Sequence, residues 1–266
     1  MIREITLGQY YPVQSPVHKL DPRTKLFGTL ILIIALFAAN NLFCYILSAG
    51  FLFGVIGVSR VPVKHIMKGL KPVIFLLLFS VVFNLFLTGG EVLVRFWIFR
   101  ITREGLIRSV MMAVRLIFLV MGTSLLTFTT TPNQLTDGLE KSLRFLRVVR
   151  VPVHEIAMMM SIALRFIPIL VEETDKIMKA QMARGADFET GGIIKKARAM
   201  IPLLVPLFIS AFRRASDLAM AMEARCYHGG EGRTKMKPFH YGAADRVGYL
   251  ILFAFLAGII LLRILF

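Results

Sequence analysis

Apolar residues gather into five stretches along the chain, separated by polar or turn residues. The stretches cover residues 26–39, 42–58, 72–87, 105–128 and 247–265. A helix that crosses the hydrocarbon core of a bilayer needs about 20 residues, with a lower limit near 17. Asn40 and Asn41 interrupt an otherwise overlong run, so we expect a tight helical hairpin whose first helix begins before Leu26. The pattern predicts an all-α membrane protein with about five transmembrane helices.

The long connection before the last stretch has a different pattern and carries more than half of the charged residues of the chain. Thr131, Pro132 and Gln134 are typical of an N-cap, a first helical residue and a capping-box partner. They predict a helix that runs toward Phe145. We therefore expect the first of three cytosolic helices here.

Two longer helices follow in the same connection. Apolar residues at helical spacing predict one over residues 152–184 and another over residues 193–225, each about 30 residues long. Both patterns contain internal prolines, which kink a helix. These are Pro168, Pro202 and Pro206. We expect three regions: transmembrane helices 1 to 4 in residues 1–128, a cytoplasmic helical region in 129–246, and the last transmembrane helix in 247–266.

Basic residues indicate the orientation, because cytoplasmic connections of membrane proteins are enriched in Lys and Arg. The N-terminal segment and the connection after the second stretch each hold four of them. They are Arg3, Lys19, Arg23, Lys25, Arg60, Lys64, Lys68 and Lys71. This predicts a multi-pass protein of the cell membrane whose long charged region is cytoplasmic.

Residues 89–103 fit this orientation poorly, because they lie outside yet contain Arg95, Arg100 and Arg103. Alternating apolar residues in the segment are compatible with a short strand or with an interfacial segment. The alternating residues are Val92, Val94, Phe96, Ile98 and Ile101.

Composition supports a membrane class and excludes several chemistries. Hydrophobic residues make up 56% of the chain, and the mean hydropathy is +0.71. Cys44 and Cys226 lack the paired spacing of a metal site, and no Gly-Lys dipeptide of a phosphate-binding loop occurs. His228 beside Cys226 is a weak metal candidate, so we expect no metal and no cofactor. ATP hydrolysis would need partner subunits.

Arg115 is a charge inside the fourth apolar stretch. A charge at membrane depth costs a few kcal/mol unless it faces protein or water. Arg115 is therefore either a snorkelling residue near a boundary or an internal lock to a cytosolic helix or partner.

The two long predicted helices end in similar five-residue motifs. Residues 181–185 read Gln-Met-Ala-Arg-Gly, and residues 222–226 read Met-Glu-Ala-Arg-Cys. A cation in the last helical turn complements the helix dipole, which is one explanation of both arginines. The functional explanation is that Arg184 and Arg225 anchor partners, with Ala183 and Ala224 permitting close approach.

These residues resemble the transmembrane T component of energy-coupling factor (ECF) transporters, the EcfT family. The resemblance rests on Ala183-Arg184-Gly185 and Ala224-Arg225-Cys226, which are similar to that family's paired Ala-Arg-Gly motifs. It extends through residues 20–25, 129–132, 164–168 and 212–215. Cys226 stands where the family usually has Gly, and the neighbouring Gly229 and Gly230 are expected to supply the turn.

The resemblance implies a non-catalytic scaffold of an ATP-driven importer of vitamins or micronutrients. Two cytoplasmic ABC-type ATPase subunits would bind Ala183, Arg184 and Gly185 at one end, and Ala224, Arg225 and Cys226 at the other. The two long helices would then be coupling helices that act on a substrate-binding membrane subunit, the S component, in the lipid bilayer. The separate subunit selects the solute, so this sequence does not name it.

Two other functional classes have weaker support in the sequence. An integral membrane enzyme, such as a lipid or prenyl transferase, needs clustered carboxylates to hold a divalent ion on a diphosphate. Glu172, Glu173 and Asp175 are the nearest cluster, and a helix face in water explains them more simply. A nucleic-acid binder is disfavoured because the cations alternate with acids and apolar faces instead of forming one basic face.

Overall fold

The structure is a computed structural model that describes residues 10–89, 92–96, 99–188, 192–230, 236 and 239–265. The helices are α1 (Pro16–Lys19), α2 (Pro22–Ala38), α3 (Leu42–Ser59), α4 (Val63–Lys68), α5 (Ile74–Leu87), α6 (Arg103–Thr129), α7 (Pro132–Ser142), α8 (Val153–Ala183), α9 (Ile193–Ala224) and α10 (Ala243–Leu265). Short 3-10 segments cover Lys71–Val73 and Leu143–Val149. The helices form two compact units, one with α1 to α7 and α10, the other with α8 and α9. We call them the bundle and the α8–α9 pair.

The helical fold class predicted from the sequence is confirmed. The α2–α3 hairpin turns at Asn40 and Asn41, and α2 begins before Leu26, as predicted. The capping box at α7 is also present: Gln134 donates its backbone N–H to Thr131 Oγ1 at 3.3 Å, and Thr131 N–H donates to Gln134 Oε1 at 3.1 Å. Helices α8 and α9 match their predicted ranges to within one residue at each end.

Within the part of the chain that the structure describes, six helical segments are long and apolar enough to cross a membrane, by length and composition. Four of them, Leu42–Ser59, Val63–Leu87, Arg103–Thr129 and Ala243–Leu265, contain predicted spans. The other two are Val153–Ala183 and Ile194–Ala224, which the charge pattern predicted to be cytosolic. Helix α2 has 17 residues and lies at the lower limit for a span. The protein is a multi-pass membrane protein.

Two antiparallel strands, β1 (Val92–Phe96) and β2 (Phe99–Thr102), connect α5 to α6. The strand interpretation of this segment is therefore confirmed for the residues in β1 and β2, while Ile98 lies outside the described residues. Thr102 caps α6, because its hydroxyl accepts a hydrogen bond from Gly105 N–H at 3.1 Å. The hairpin thus ends where α6 begins.

The bundle core lies between α2, α3, α6 and α10. Leu36, Leu52 and Ile259 are almost completely buried, and the rings of Phe51 and Phe255 stack with centroids 4.2 Å apart. A Cβ at Gly122 of α6 would overlap the Leu32 side chain of α2, so glycine permits this close approach. Lipid tails are as apolar as leucine, so van der Waals packing holds such a bundle together.

A buried carboxylate joins the beginnings of α2 and α10. Asp245 is 4% exposed and accepts hydrogen bonds from Asp21 N–H at 2.8 Å, Thr24 Oγ1 at 3.0 Å and Gly242 N–H at 2.8 Å. Asp21 itself caps α2, and its carboxylate accepts hydrogen bonds from Nε and Nη2 of Arg23. Burial opposes ionisation of Asp21, but the hydrogen bonds and charge of Arg23 outweigh it and lower the pKa of this carboxyl. The early segment 20–25 therefore anchors the helix ends of the bundle.

Arg115 binds the α2–α3 turn. Its Nη2 donates to Ala39 O at 2.8 Å, and its Nε donates to Tyr45 Oη at 3.0 Å. The carbonyls at the end of α2 lack intrahelical donors, and a cation there also complements the helix dipole. Neither alternative offered from the sequence named this contact, which lies within the bundle.

Candidate functional site at the ends of two long helices

The first predicted end forms a complete C-cap. Helix α8 ends at Ala183, and Arg184 is the cap residue. Gly185 follows with φ +87°, and its N–H donates to Met182 O at 2.9 Å. Ala186 N–H reaches back to Gln181 O at 3.0 Å. This pair of bonds is the Schellman motif, in which a left-handed residue satisfies the last carbonyls of a helix.

The second end repeats the same hydrogen bonds. Arg225 caps α9, Cys226 N–H donates to Glu223 O at 2.8 Å, and Tyr227 N–H donates to Met222 O at 3.0 Å. Cys226 takes the left-handed conformation itself, with φ +53°. The expectation that Gly229 and Gly230 supply this turn was therefore wrong, because the cap closes three residues before Gly229.

Gly230 has a different contact. A Cβ at this position would overlap the ring of His154, in the first turn of α8. The segment that follows α9 therefore returns to the beginning of α8. The glycine at 230 is explained by this close approach rather than by the cap.

All six predicted site residues are exposed. They are Ala183, Arg184, Gly185, Ala224, Arg225 and Cys226. Among the described residues, neither guanidinium has a hydrogen-bond acceptor or an ion-pair partner. Each cap thus presents a planar fork of N–H donors at a helix end, beside a small residue. Such a fork suits several acceptors on one protein surface.

The two helices pack antiparallel. Glu173 of α8 contacts Arg214 of α9, whereas Gln181, further along α8, contacts Pro202, which is earlier in α9. Arg184 therefore lies level with about residue 199 of α9. Arg225 is roughly 26 residues further along, or about 40 Å at 1.5 Å per residue. The structure does not bring the two ends together: it places them at opposite ends of the α8–α9 pair.

A polar cluster joins the middles of the two helices. Glu173 accepts from Arg214 Nη2 at 2.8 Å and from Ser210 Oγ. The carboxylate proposed for the enzyme alternative is thus engaged between α8 and α9. This role of Glu173 was not predicted from the sequence, although residues 212–215 belong to the family resemblance.

Prolines explain a second cross-contact. Pro206 has no N–H, so the carbonyl of Pro202 has no intrahelical donor. Gln181 Nε2 donates to this carbonyl at 3.4 Å. Gln181 also accepts the cap bond from Ala186, so one residue connects the first end to α9. A freed carbonyl four residues before each helix proline is the signal by which such a contact can be sought.

Comparison with known proteins agrees with these features. A family model described as cobalt transport protein (CbiQ) matches residues 13–236. The energy-coupling factor transporter transmembrane protein EcfT of Clostridium kluyveri is 54% identical over 99% of this chain and 98% of its own length. EcfT of Ruminiclostridium cellulolyticum is 50% identical over the full length of both chains. EcfT of Bacillus subtilis is 48% identical over 92% of this chain and 93% of its own.

These matches cover nearly the whole chain, including both capped helix ends, and they confirm the resemblance inferred from the motifs. The chain therefore belongs to the EcfT family, the transmembrane proteins of energy-coupling factor transporters.

Proposed function

We propose that this protein couples two cytoplasmic ABC-type ATPase subunits to a separate substrate-binding membrane subunit in an ATP-driven importer. The observation that carries the proposal is the pair of identical C-caps, each presenting an exposed arginine. Arg184 with Ala183 and Gly185 binds one ATPase subunit, and Arg225 with Ala224 and Cys226 binds the other. The chain itself hydrolyses no ATP in this scheme.

The separation of the two ends favours two ATPase copies over one. About 40 Å along α9 lies between the level of Arg184 and Arg225. One standard interface buries about 800 Å² on each partner, a patch narrower than this span. Two equal ends therefore suit two equal subunits, each with a groove that accepts a guanidinium.

The α8–α9 pair provides the mechanical element of the proposal. Glu173 binds Arg214 and Ser210 near the middle, and Gln181 binds the Pro202 carbonyl nearer the first end. A movement of one ATPase subunit is thereby carried to both helices. The α8–α9 pair acts on the substrate-binding subunit, and that subunit selects the solute, a vitamin or other micronutrient.

The proposed topology follows the basic residues. Residues 129–246 are cytoplasmic, residues 1–128 hold four transmembrane helices, and residues 247–266 hold the last one. Although α8 and α9 are apolar enough to be candidate spans, their charged ends and bound polar cluster favour the cytoplasmic side. The apolar faces of both helices then lie against membrane subunits rather than in water.

The test reverses both charges. Arg184→Glu with Arg225→Glu is compared with Lys64→Glu with Lys68→Glu, which makes the same charge change on exposed cations of α4. Truncating a buried, hydrogen-bonded charge at an interface costs about 2–5 kcal/mol. We expect the first variant to insert in the membrane but to lose co-purifying ATPase subunits and ATP-driven uptake. Normal uptake and recovery of ATPases with that variant would overturn the proposal.

A further inference from the structure

The bundle contains a cavity of about 650 Å³. Its walls come from α2, α3, α6 and α10, and α1 lies at one end. Three of these helices are candidate membrane spans. The volume lies in the range of ligand sites in proteins, about 300–1,000 Å³. The cavity is separate from the arginine-bearing helix ends, which belong to the α8–α9 pair.

The polar side chains of the lining are already engaged. They are Thr24, Lys25, Thr29 and Thr129. Each donates to an oxygen of the chain itself at 2.8 to 3.0 Å. Lys25 Nζ donates to two backbone carbonyls, those of His18 and Thr129. The remaining lining is apolar, so the cavity offers a polar solute little to bind.

The cavity opens beside α3. Gly50 and Gly54 lie one helical turn apart in its lining, and both are exposed. A Cβ added at either glycine meets no atom within 4 Å. The α3 side of the cavity is therefore open at the level of the membrane-spanning helices, where the surrounding solvent is hydrocarbon.

Such a cavity can be empty, hold water, or hold apolar groups that come from lipid or from a partner protein. An empty space of this size forfeits the dispersion contacts of its whole lining. Water needs two to four polar partners, and apolar cavities stay dry. Hydrocarbon matches the lining and is supplied by the adjacent bilayer. We propose that this cavity binds an acyl chain of a membrane lipid, which enters beside Gly50 and Gly54 of α3.

The test uses the full chain with the subunits that accompany it, reconstituted into vesicles of phosphatidylethanolamine and phosphatidylglycerol. A small share of the phosphatidylethanolamine carries a diazirine in its acyl chain. After illumination, labelled residues are located by mass spectrometry. Leu252 is 8% exposed and lines the cavity, whereas the adjacent Phe253 is 61% exposed and lies outside it. We expect Leu252 to be labelled at least as strongly as Phe253.

Cavity-filling variants sharpen the test. Gly50→Leu with Gly54→Leu places two side chains in the opening, where no atom obstructs them. Gly57→Leu is the matched control, since Gly57 is on the same helix, equally unobstructed, and outside the lining. We expect labelling of Leu252 to fall at least fivefold in the double variant and to stay unchanged in the control.

Two results would overturn the proposal. One is labelling of the wild type that follows exposure, with Phe253 strongly labelled and Leu252 unlabelled. This result needs no variant, so it decides the question even if the double variant fails to fold. The other is the absence of lipid label from every cavity-lining residue of the assembled complex, which is the result expected if a partner protein's helix fills the cavity.

Discussion

Cys226 offers a quantitative prediction, because its backbone is left-handed while it carries a side chain. An L-residue in this region costs roughly 1–2 kcal/mol, whereas glycine adopts it freely. Glycine also loses more chain entropy on folding, an opposing contribution of about 0.4–1 kcal/mol. We therefore expect Cys226→Gly to stabilise the end of α9 by about 0.5–1 kcal/mol. The reverse change at the first end, Gly185→Ala, should destabilise α8 by a similar amount.

At Gly185 the cost would come from the backbone alone. A Cβ there meets no atom within 4 Å, so no steric clash adds to the strain of φ +87°. The two variants are thus a matched pair. They change the stability of their helix ends in opposite directions, and in both the cause is the presence or absence of a side chain on a left-handed residue. A change of about 0.5–1 kcal/mol alters the equilibrium constant for opening of the helix end by about 2- to 5-fold, since 1.4 kcal/mol is a factor of ten.

Amide hydrogen exchange measures this opening directly. The relevant amides are those of residues 185 and 186 at the first end and of residues 226 and 227 at the second, which close the caps. After correction for intrinsic rates, exchange at the second end should slow in Cys226→Gly, and exchange at the first end should accelerate in Gly185→Ala. Faster exchange in Cys226→Gly would refute the strain argument.

Three further predictions concern contacts in the bundle and the α8–α9 pair. Asp245→Ala leaves three buried donors without their acceptor, so we expect thermal unfolding to show a free energy of unfolding lower by about 3 kcal/mol or more. Asp245→Asn should lower it less, and equal losses in the two variants would contradict this role. Arg115→Met should destabilise the detergent-solubilised protein by about 1–3 kcal/mol, because Ala39 O and Tyr45 Oη each lose the hydrogen bond from the guanidinium, and only the long bond from Tyr45 Oη to Ala39 O at 3.4 Å is left; an unchanged melting temperature would refute it. Glu173→Ala should cost less than about 1 kcal/mol in the same assay, because its partner Arg214 is 40% exposed; a larger loss would show a more strongly coupled cluster.

Local signals in the sequence were sufficient for most helix bounds. The Asn40-Asn41 break, the capping box at Thr131 and Gln134, and the alanine-arginine ends follow rules that act within a few residues. The bounds of α3, α8 and α9 and the first residue of α7 were therefore predictable.

Contacts between distant parts of the chain were not predictable in this way. Asp21 and Asp245 are 224 positions apart, and Arg115 is 76 positions from Ala39. Sequence periodicity cannot pair such residues. The cap at Cys226 was not predicted for a different reason. Glycine is the usual left-handed residue, so the turn was assigned to Gly229 and Gly230 instead of to the residue that follows Arg225.

Cross-linking can show whether each capped helix end contacts its own ATPase subunit. Cys226 is already an exposed thiol at the second end, Met182→Cys with Cys226→Ser gives a thiol at the first end alone, and Met182→Cys by itself gives both. A thiol-reactive photo-cross-linker is attached at one or both sites in the assembled transporter. We predict one ATPase adduct from each single site and an adduct with two ATPase copies when both sites carry the cross-linker. Recovery of ATPase subunits in the complex without an adduct at either site would mean that the two helix ends do not contact the ATPase subunits.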